Sequence, residues 1–279
     1  MPKLIIALVA VAAAGAASLP GCQPVPGADV LVAKPDVRFI LLGEMHGTME
    51  APALFRDLVC ASAAAGKRPV VVGLERSTRE QAAIDAFLAA DNHASATAAL
   101  LAESGWGTFD GRSSQAMLAL LEALRELKSK GQISEVVAID GARPDDVDEA
   151  REQRMASALT TAADRHPNAL VLAFTGNVHA SKKLIEGFGT YPFMAMLLPA
   201  TQTISLFVAD KGGEAWTQMQ DGCRPHKLRS TGGDRRGITL SERLPGFDGT
   251  ASTGLAATAS SPAVPNAPRA PACSALRVP

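Results

Sequence analysis

At 279 residues the chain has room for one large or two small domains and a core of ordinary size. It carries 27 basic against 28 acidic residues, a formal net charge of -1 with no basic cluster, which excludes the electrostatic footprint of a nucleic-acid binder. Hydrophobic residues reach 47% while aromatics stay at 4%, a balance that alanine-rich helices explain without membrane spans.

Residues 1–22 read as an export signal. Lys3 is a minimal positive region, residues 4–17 are an unbroken small-apolar run, and Ser18-Leu19-Pro20-Gly21-Cys22 closes it. The run is shorter than the roughly 20 apolar residues a spanning helix needs. Leu19, Gly21 and Cys22 resemble a bacterial lipobox, so Cys22 is a candidate lipid-carrying N-terminus and the one expected membrane contact. Pro20 departs from that pattern and keeps ordinary cleavage near Ala14-Gly15-Ala16 open. Either route places the protein in the periplasm or on the cell envelope, where disulfides persist. Cys60 shares a helical face with Leu54 and Leu58 and reads as a buried free thiol. Cys223 and Cys273 flank the C-terminal stretch and are free to pair.

A Pro/Gly linker over residues 23–36 leads to a buried-type strand at 37–42. Pro52 opens a helix that Gly66 to Pro69 stop, and 70–74 form a second strand. Ser77-Thr78-Arg79-Glu80 matches a capping box ahead of Ile84, Phe87 and Leu88. A shorter helix at about 94–103 precedes the aromatic connection 104–112 around Trp106, which reads as a lid or as a packed turn. A helix at 114–130, a strand at 136–140, a helix at about 147–165 and a strand at 168–175 follow. Asn177 begins a helix reaching Ile185, and 193–198 and 203–209 read as two further strands. Beyond Gly246 the composition falls to Ala, Thr, Ser and Pro, too little apolar surface to order itself. The expected architecture is a single α/β domain over 37–245. It has a largely parallel sheet flanked by helices, a C-terminal strand pair, and a disordered low-complexity tail over 246–279.

Three strand ends share one layout: Gly43-Glu44-Met45-His46-Gly47, Gly73-Leu74-Glu75 and Gly176-Asn177-Val178-His179. Ligands bind at the carboxyl ends of parallel strands, so Glu44, His46, Glu75 and His179 are expected around one cavity. Arg151 shares a helical face with Val147, Ala150, Arg154 and Ala158 and needs a carboxylate, for which Glu44, Glu75 and Asp140 are available. The plainer alternatives are a Glu75 paired with Arg76 or Arg79 and an Arg151 on a solvated helix. His93, His166 and His226 are assigned nothing, and no GxSxG elbow points to a serine nucleophile.

Two chemistries suit this set. Without a metal, His46 acts as general base on a water, Glu44 or Glu75 fixes its tautomer and keeps its pKa near working pH, Arg151 stabilises the oxyanion, and His179 serves the leaving group. With a divalent metal, zinc or manganese, His46, His179 and a glutamate such as Glu44 are the ligands and another glutamate is the base.

GEMHG at 43–47, GLE at 73–75, REQRMA at 151–156 and GNVHA at 176–180, in this order, resemble the erythromycin-esterase-like, ChaN-like and Tiki/TraB-like superfamily. By motif match, Glu44, His46, Glu75, Arg151 and His179 take the family's site positions, and Glu152 stands where its pattern has an aspartate. The resemblance implies an exported hydrolase of an ester or amide, acting on a small molecule or peptide. The alternative it implies is a ChaN-like envelope carrier of haem or an iron cofactor without turnover. For that carrier Tyr191 is the one tyrosine available as axial ligand, and Met45, Met194 and Met196 are candidate pocket lining.

Overall fold

The computed structural model describes residues 21–142, 147–219, 221–241 and 244–267. Residues 1–20 of the expected 1–22 signal, and Cys273, the candidate partner of Cys223, lie outside them. Among the described residues no helix is long and apolar enough to cross a membrane.

Five strands run parallel in the middle of the molecule: β1 (Phe39–Glu44), β2 (Val70–Ser77), β3 (Glu135–Asp140), β4 (Leu170–Gly176) and β5 (Thr203–Ala209). With β8 (Gly237–Leu240) and β9 (Gly249–Ser252) they form one sheet in the order β3-β2-β4-β1-β5-β9-β8, where β8 alone runs antiparallel to its neighbour. Strand side chains alternate between faces, and β1 shows it directly. Ile40 and Leu42 enter a core with Leu54, Phe55 and Leu58, whereas Phe39 and Leu41 enter another with Met155 and Leu159. The first face is covered by α1 (Ala28–Val32), α2 (Glu50–Ala65), α3 (Gln81–Ala89) and α5 (Gln115–Ser129), with α4 (His93–Leu101) at its margin. The second is covered by α6 (Asp148–Arg165), α7 (Asn177–Ala180) and α8 (Met194–Leu197). A separate hairpin, β6 (Lys211–Met219) with β7 (Gly222–Ser230), is the antiparallel pair of the C-terminal region.

The structure corrects several expectations. Cys60 is not a free thiol: it is disulfide-bonded to Cys22. A sulfur joined to Cys60 is not available for a thioether to lipid, so the two uses of Cys22 exclude one another and the structure uses the first. Residues 23–36 are no mere linker, since α1 buries Ala28, Leu31 and Val32 against the core and Val25 is buried beside it. Residues 193–198 hold α8 rather than a strand. Met, Ala and Leu are good helix formers, and the Met194 amide is engaged by the Glu152 carboxylate instead of a strand partner. The helix from Asn177 ends at Ala180, because Lys182 is drawn to the Gly246 carbonyl through its amide and to Asp248 through its ammonium.

The stretch after Gly246 is also ordered as far as the description runs. Its order comes from backbone hydrogen bonds, which compositional reasoning does not count. Residues 249–252 slot between β5 and β8 as β9. The Ser261 carbonyl and the Ser260 hydroxyl accept from the amides of Gln115 and Ala116 at the open N-terminus of α5, where a helix otherwise leaves donors unsatisfied. Trp106 is fully buried beneath the Arg76 guanidinium, 4.3 Å above its ring, so the aromatic connection is a packed turn.

Candidate active site

Glu44, Glu75, Asp140 and Gly176 sit at or next to the carboxyl ends of β1, β2, β3 and β4, four neighbours in the sheet. Because β4 lies between β1 and β2, the distant GEMHG and GLE stretches are brought to either side of the GNVHA stretch. All four residues with which the sequence begins its site, Glu44, His46, Glu75 and His179, meet there with Arg151.

Glu75 is the centre, and its two oxygens have separate partners. Oε2 accepts from the Gly176 amide at 2.6 Å and the Thr175 hydroxyl at 2.7 Å, and faces His46 Nε2 at 3.6 Å. Oε1 accepts from Arg151 Nη2 at 2.9 Å and Arg112 Nη1 at 3.3 Å, and faces His179 Nε2 at 3.5 Å. Arg76 is committed elsewhere, to Glu80, and the guanidiniums paired with Glu75 are Arg112 and Arg151, not those of the helix start. Arg151 also grips Asp140 with Nε and Nη2 at 3.0 and 2.8 Å, so its helical face is not a solvated one.

Each histidine is held from behind by a carboxylate. His46 Nδ1 lies 2.9 Å from Glu44 Oε1, and His179 Nδ1 lies 2.6 Å from Glu152 Oε1. Glu152 is itself fixed, since its other oxygen accepts from the Met194 amide at 2.7 Å. This is the arrangement that sets a ring's tautomer and orientation. The other Glu44 oxygen, Oε2, is buried without a hydrogen-bond partner among the described residues.

Two glycines permit the assembly. A Cβ on Gly176 would lie 3.0 Å from His46 Nε2, so the imidazole reaches Glu75 across a bare backbone. Gly47 has φ of +87°, and a Cβ there would lie 1.7 Å from the Trp216 carbonyl oxygen. Hairpin strand β6 presses on this loop, where the Gly47 carbonyl accepts from the amides of Trp216 and Ser260.

Electrostatics follow from burial and charge together. Burial opposes the His46 imidazolium, but the nearby Glu75 charge and the hydrogen bond to Glu44 outweigh it and raise its pKa to about 10. Burial opposes the His179 imidazolium too, and the nearby Glu75 charge with the Glu152 hydrogen bond raises it to about 9. For Glu75, burial is overcome by His179 and His46, which hold its carboxyl well below the usual range. Burial prevails at Glu44, whose pKa is raised despite His46. The expectation that Glu44 or Glu75 keeps the His46 pKa near working pH is therefore corrected: both carboxylates favour its charged form.

The residues expected as metal ligands do not converge on one point among the described residues. His46 and His179 face different oxygens of Glu75, and Glu44 lies behind His46 on Nδ1. Two guanidiniums, Arg112 and Arg151, hydrogen-bond the same oxygen of Glu75, Oε1. No group of three or more His, Cys, Asp or Glu among the described residues is arranged to hold a metal ion. Of the pocket lining considered for haem, Met194 is buried in the core while Met45 and Met196 are exposed.

Two contributors escaped the sequence reading. Arg112 bridges Glu75 and Asp140 with Nη1 and grips Asp110 with Nε and Nη2, and Glu152 anchors His179. Arg112 stands in the aromatic connection, and its nearest signal was Asp110 two residues before it. Glu152 was visible as the acid beside Arg151, yet its aim toward His179 depends on how α6 packs.

No family model and no curated protein matches this sequence. Solved structures do resemble its fold. A histidine-to-asparagine mutant of erythromycin esterase EreC in its open conformation aligns at TM-score 0.60 and 10% identity, over 85% of this chain and 96% of that one. A protein from Bacillus cereus aligns at TM-score 0.59 and 10% identity, over 84% and 91%. A succinoglycan biosynthesis protein aligns at 0.53 and 9%, over 72% and 73%. The fold is erythromycin-esterase-like, as the ordered motifs implied.

Proposed function

We propose that this erythromycin-esterase-like fold carries a hydrolase centre that cleaves an ester or amide by passing a proton through His46. The observation that carries the reading is the position of His46 Nε2. It stands 3.6 Å from Glu75, beyond hydrogen-bond distance, on a side chain 22% exposed, while Glu44 holds the opposite nitrogen. That nitrogen is oriented and makes no hydrogen bond to the described residues.

Neutral His46 takes a proton from the water as its oxygen attacks the carbonyl carbon. The bond to the leaving oxygen or nitrogen breaks as His46 returns that proton to the leaving atom. Arg151 makes four hydrogen bonds with five N–H groups, through Nε and Nη2 to Asp140, Nη2 to Glu75 and Nη1 to His179. The remaining Nη1 hydrogen is available to the oxyanion, which preorganised donors stabilise without rearrangement. Residues Thr175, Asp140 and Glu152 hold this frame and touch no reacting atom.

The Cys22–Cys60 disulfide supports an exported setting, because such bonds persist in oxidising compartments.

An ester and amide panel tests the function, with His46→Ala and Glu75→Ala checked for intact fold by circular dichroism. Turnover lost in both supports the centre, and turnover surviving in both refutes it. A parallel hemin titration showing a shifted Soret band at one equivalent, without turnover of any ester or amide, would replace the hydrolase with a carrier.

A further inference from the structure

The charges of the site are layered. Its acids lie inside, with Glu44 at 3%, Glu75 at 4%, Glu152 at 3% and Asp140 at 9% side-chain exposure. Three of its cations lie outside, with Arg112 at 31%, Arg151 at 22% and His46 at 22%, while His179 at 10% sits among the acids. The most exposed acid of the cluster, Asp110 at 17%, is covered by three hydrogen bonds from Arg112, two from its side chain and one from its amide. A ligand approaching from solvent meets guanidinium and imidazole nitrogens first, and carboxylate oxygens only behind them.

Arg112 has donor capacity to spare. Its four side-chain hydrogen bonds use Nε and Nη2 on Asp110 and both Nη1 hydrogens on Glu75 and Asp140. One of its five N–H groups, on Nη2, is left over. The guanidinium cannot turn away from solvent, because Asp110, Glu75 and Asp140 hold it from three directions, and its backbone carbonyl accepts from Arg76 Nη1 at 2.7 Å. A fixed cation with a spare donor in a partly desolvated rim recognises anionic oxygen.

We infer that the substrate carries an anionic group, a carboxylate or phosphate-type oxygen, close to the scissile bond, and that Arg112 docks it. The inference rests on the hydrolase reading for the word substrate and on the layering of charge for the anion. Arg112 is then a substrate-binding residue set beside the proton-transferring His46, and Arg151 serves the oxyanion. A cationic substrate meets repulsion at the rim, and a neutral one leaves the Nη2 donor unpaired.

The test has a binding arm and a turnover arm. Benzoate, benzamide and benzyltrimethylammonium are titrated calorimetrically at low and high salt. The succinate half-ester, acetate ester and betaine ester of one alcohol are compared as substrates. The expected result is an anionic-over-neutral preference of about tenfold or more, the scale of one charge-assisted hydrogen bond, shrinking with salt. Arg112→Lys should reduce that ratio and Arg112→Gln should bring it close to one, and a ratio is readable even where overall activity falls. Anion binding without turnover keeps this inference and sinks the hydrolase. Turnover with neutral or cationic forms preferred keeps the hydrolase and overturns this inference. Wild-type binding of all three probes alike, with no turnover, overturns both.

Discussion

Arg151 Nη1 stands 3.0 Å from His179 Nε2, a contact that is a hydrogen bond only while that ring nitrogen is unprotonated. Glu75 Oε1, 3.5 Å from the same nitrogen, is the partner of the protonated ring. The proton on His179 therefore decides which neighbour it engages. Neutral, the ring accepts from Arg151; charged, it turns its N–H to Glu75. Glu152 on Nδ1 is common to both states and favours the charged one.

Histidine titration by NMR checks this directly. His179 should change ionisation at about pH 9. Glu152→Gln removes a charge that stabilises the imidazolium, so its pKa should fall, and the Arg151 contact should then form at lower pH. A His179 pKa unmoved by that substitution would mean that Glu152 acts on ring position alone.

The pH dependence of kcat/KM reports His46. Its base form is the reactive one, and its pKa is raised to about 10, so activity should climb through neutral pH and level off only near pH 10. The direction of change in variants follows from the same charges. Glu75→Gln and Glu44→Gln each remove a group that favours the imidazolium, so each should move the rising limb to lower pH, Glu75→Gln by more. A limb that stays in place would assign it to another group.

Gly176→Ala isolates the approach of His46 to Glu75. Gly176 has a φ of -59°, ordinary for alanine, so the backbone accepts the change. The added Cβ sits 3.0 Å from His46 Nε2 and 3.4 Å from Glu75 Oε2. The imidazole should be displaced, with a loss of about 100-fold in kcat, the scale of a small misplacement of a reacting group. Thermal unfolding should shift little, and an unfolded variant would instead place Gly176 among purely structural residues.

Reduction of the Cys22–Cys60 disulfide should cost about 2–4 kcal/mol of stability, since it closes a separation of 38 residues. Guanidinium unfolding with and without reductant, against Cys22→Ser with Cys60→Ser, measures it. The effect should fall on stability and leave kcat unchanged, because the bond ties the segment before α1 to α2 and touches none of the site residues.

Much of this protein was readable along the chain. Apolar runs such as 70–74 and 170–175 are strands whichever neighbours they acquire, because both faces are buried and only continuous hydrophobicity satisfies that. The acids and histidines that end them were visible by position, and the need of Arg151 for a carboxylate was visible from burial costs. The ordered motifs carried the fold class as well. What the chain could not state was which side chain points at which. That Glu75 lies between two histidines follows from the insertion of β4 between β2 and β1, a long-range pairing. The order of residues 249–263 is of the same kind, because these small polar residues gain their stability from donors and acceptors on β5, β8 and α5. So are the Cys22–Cys60 bond and the aim of Arg112. Composition and period report what a segment can bury, whereas hydrogen bonds between distant segments exist only once packing has brought both partners together.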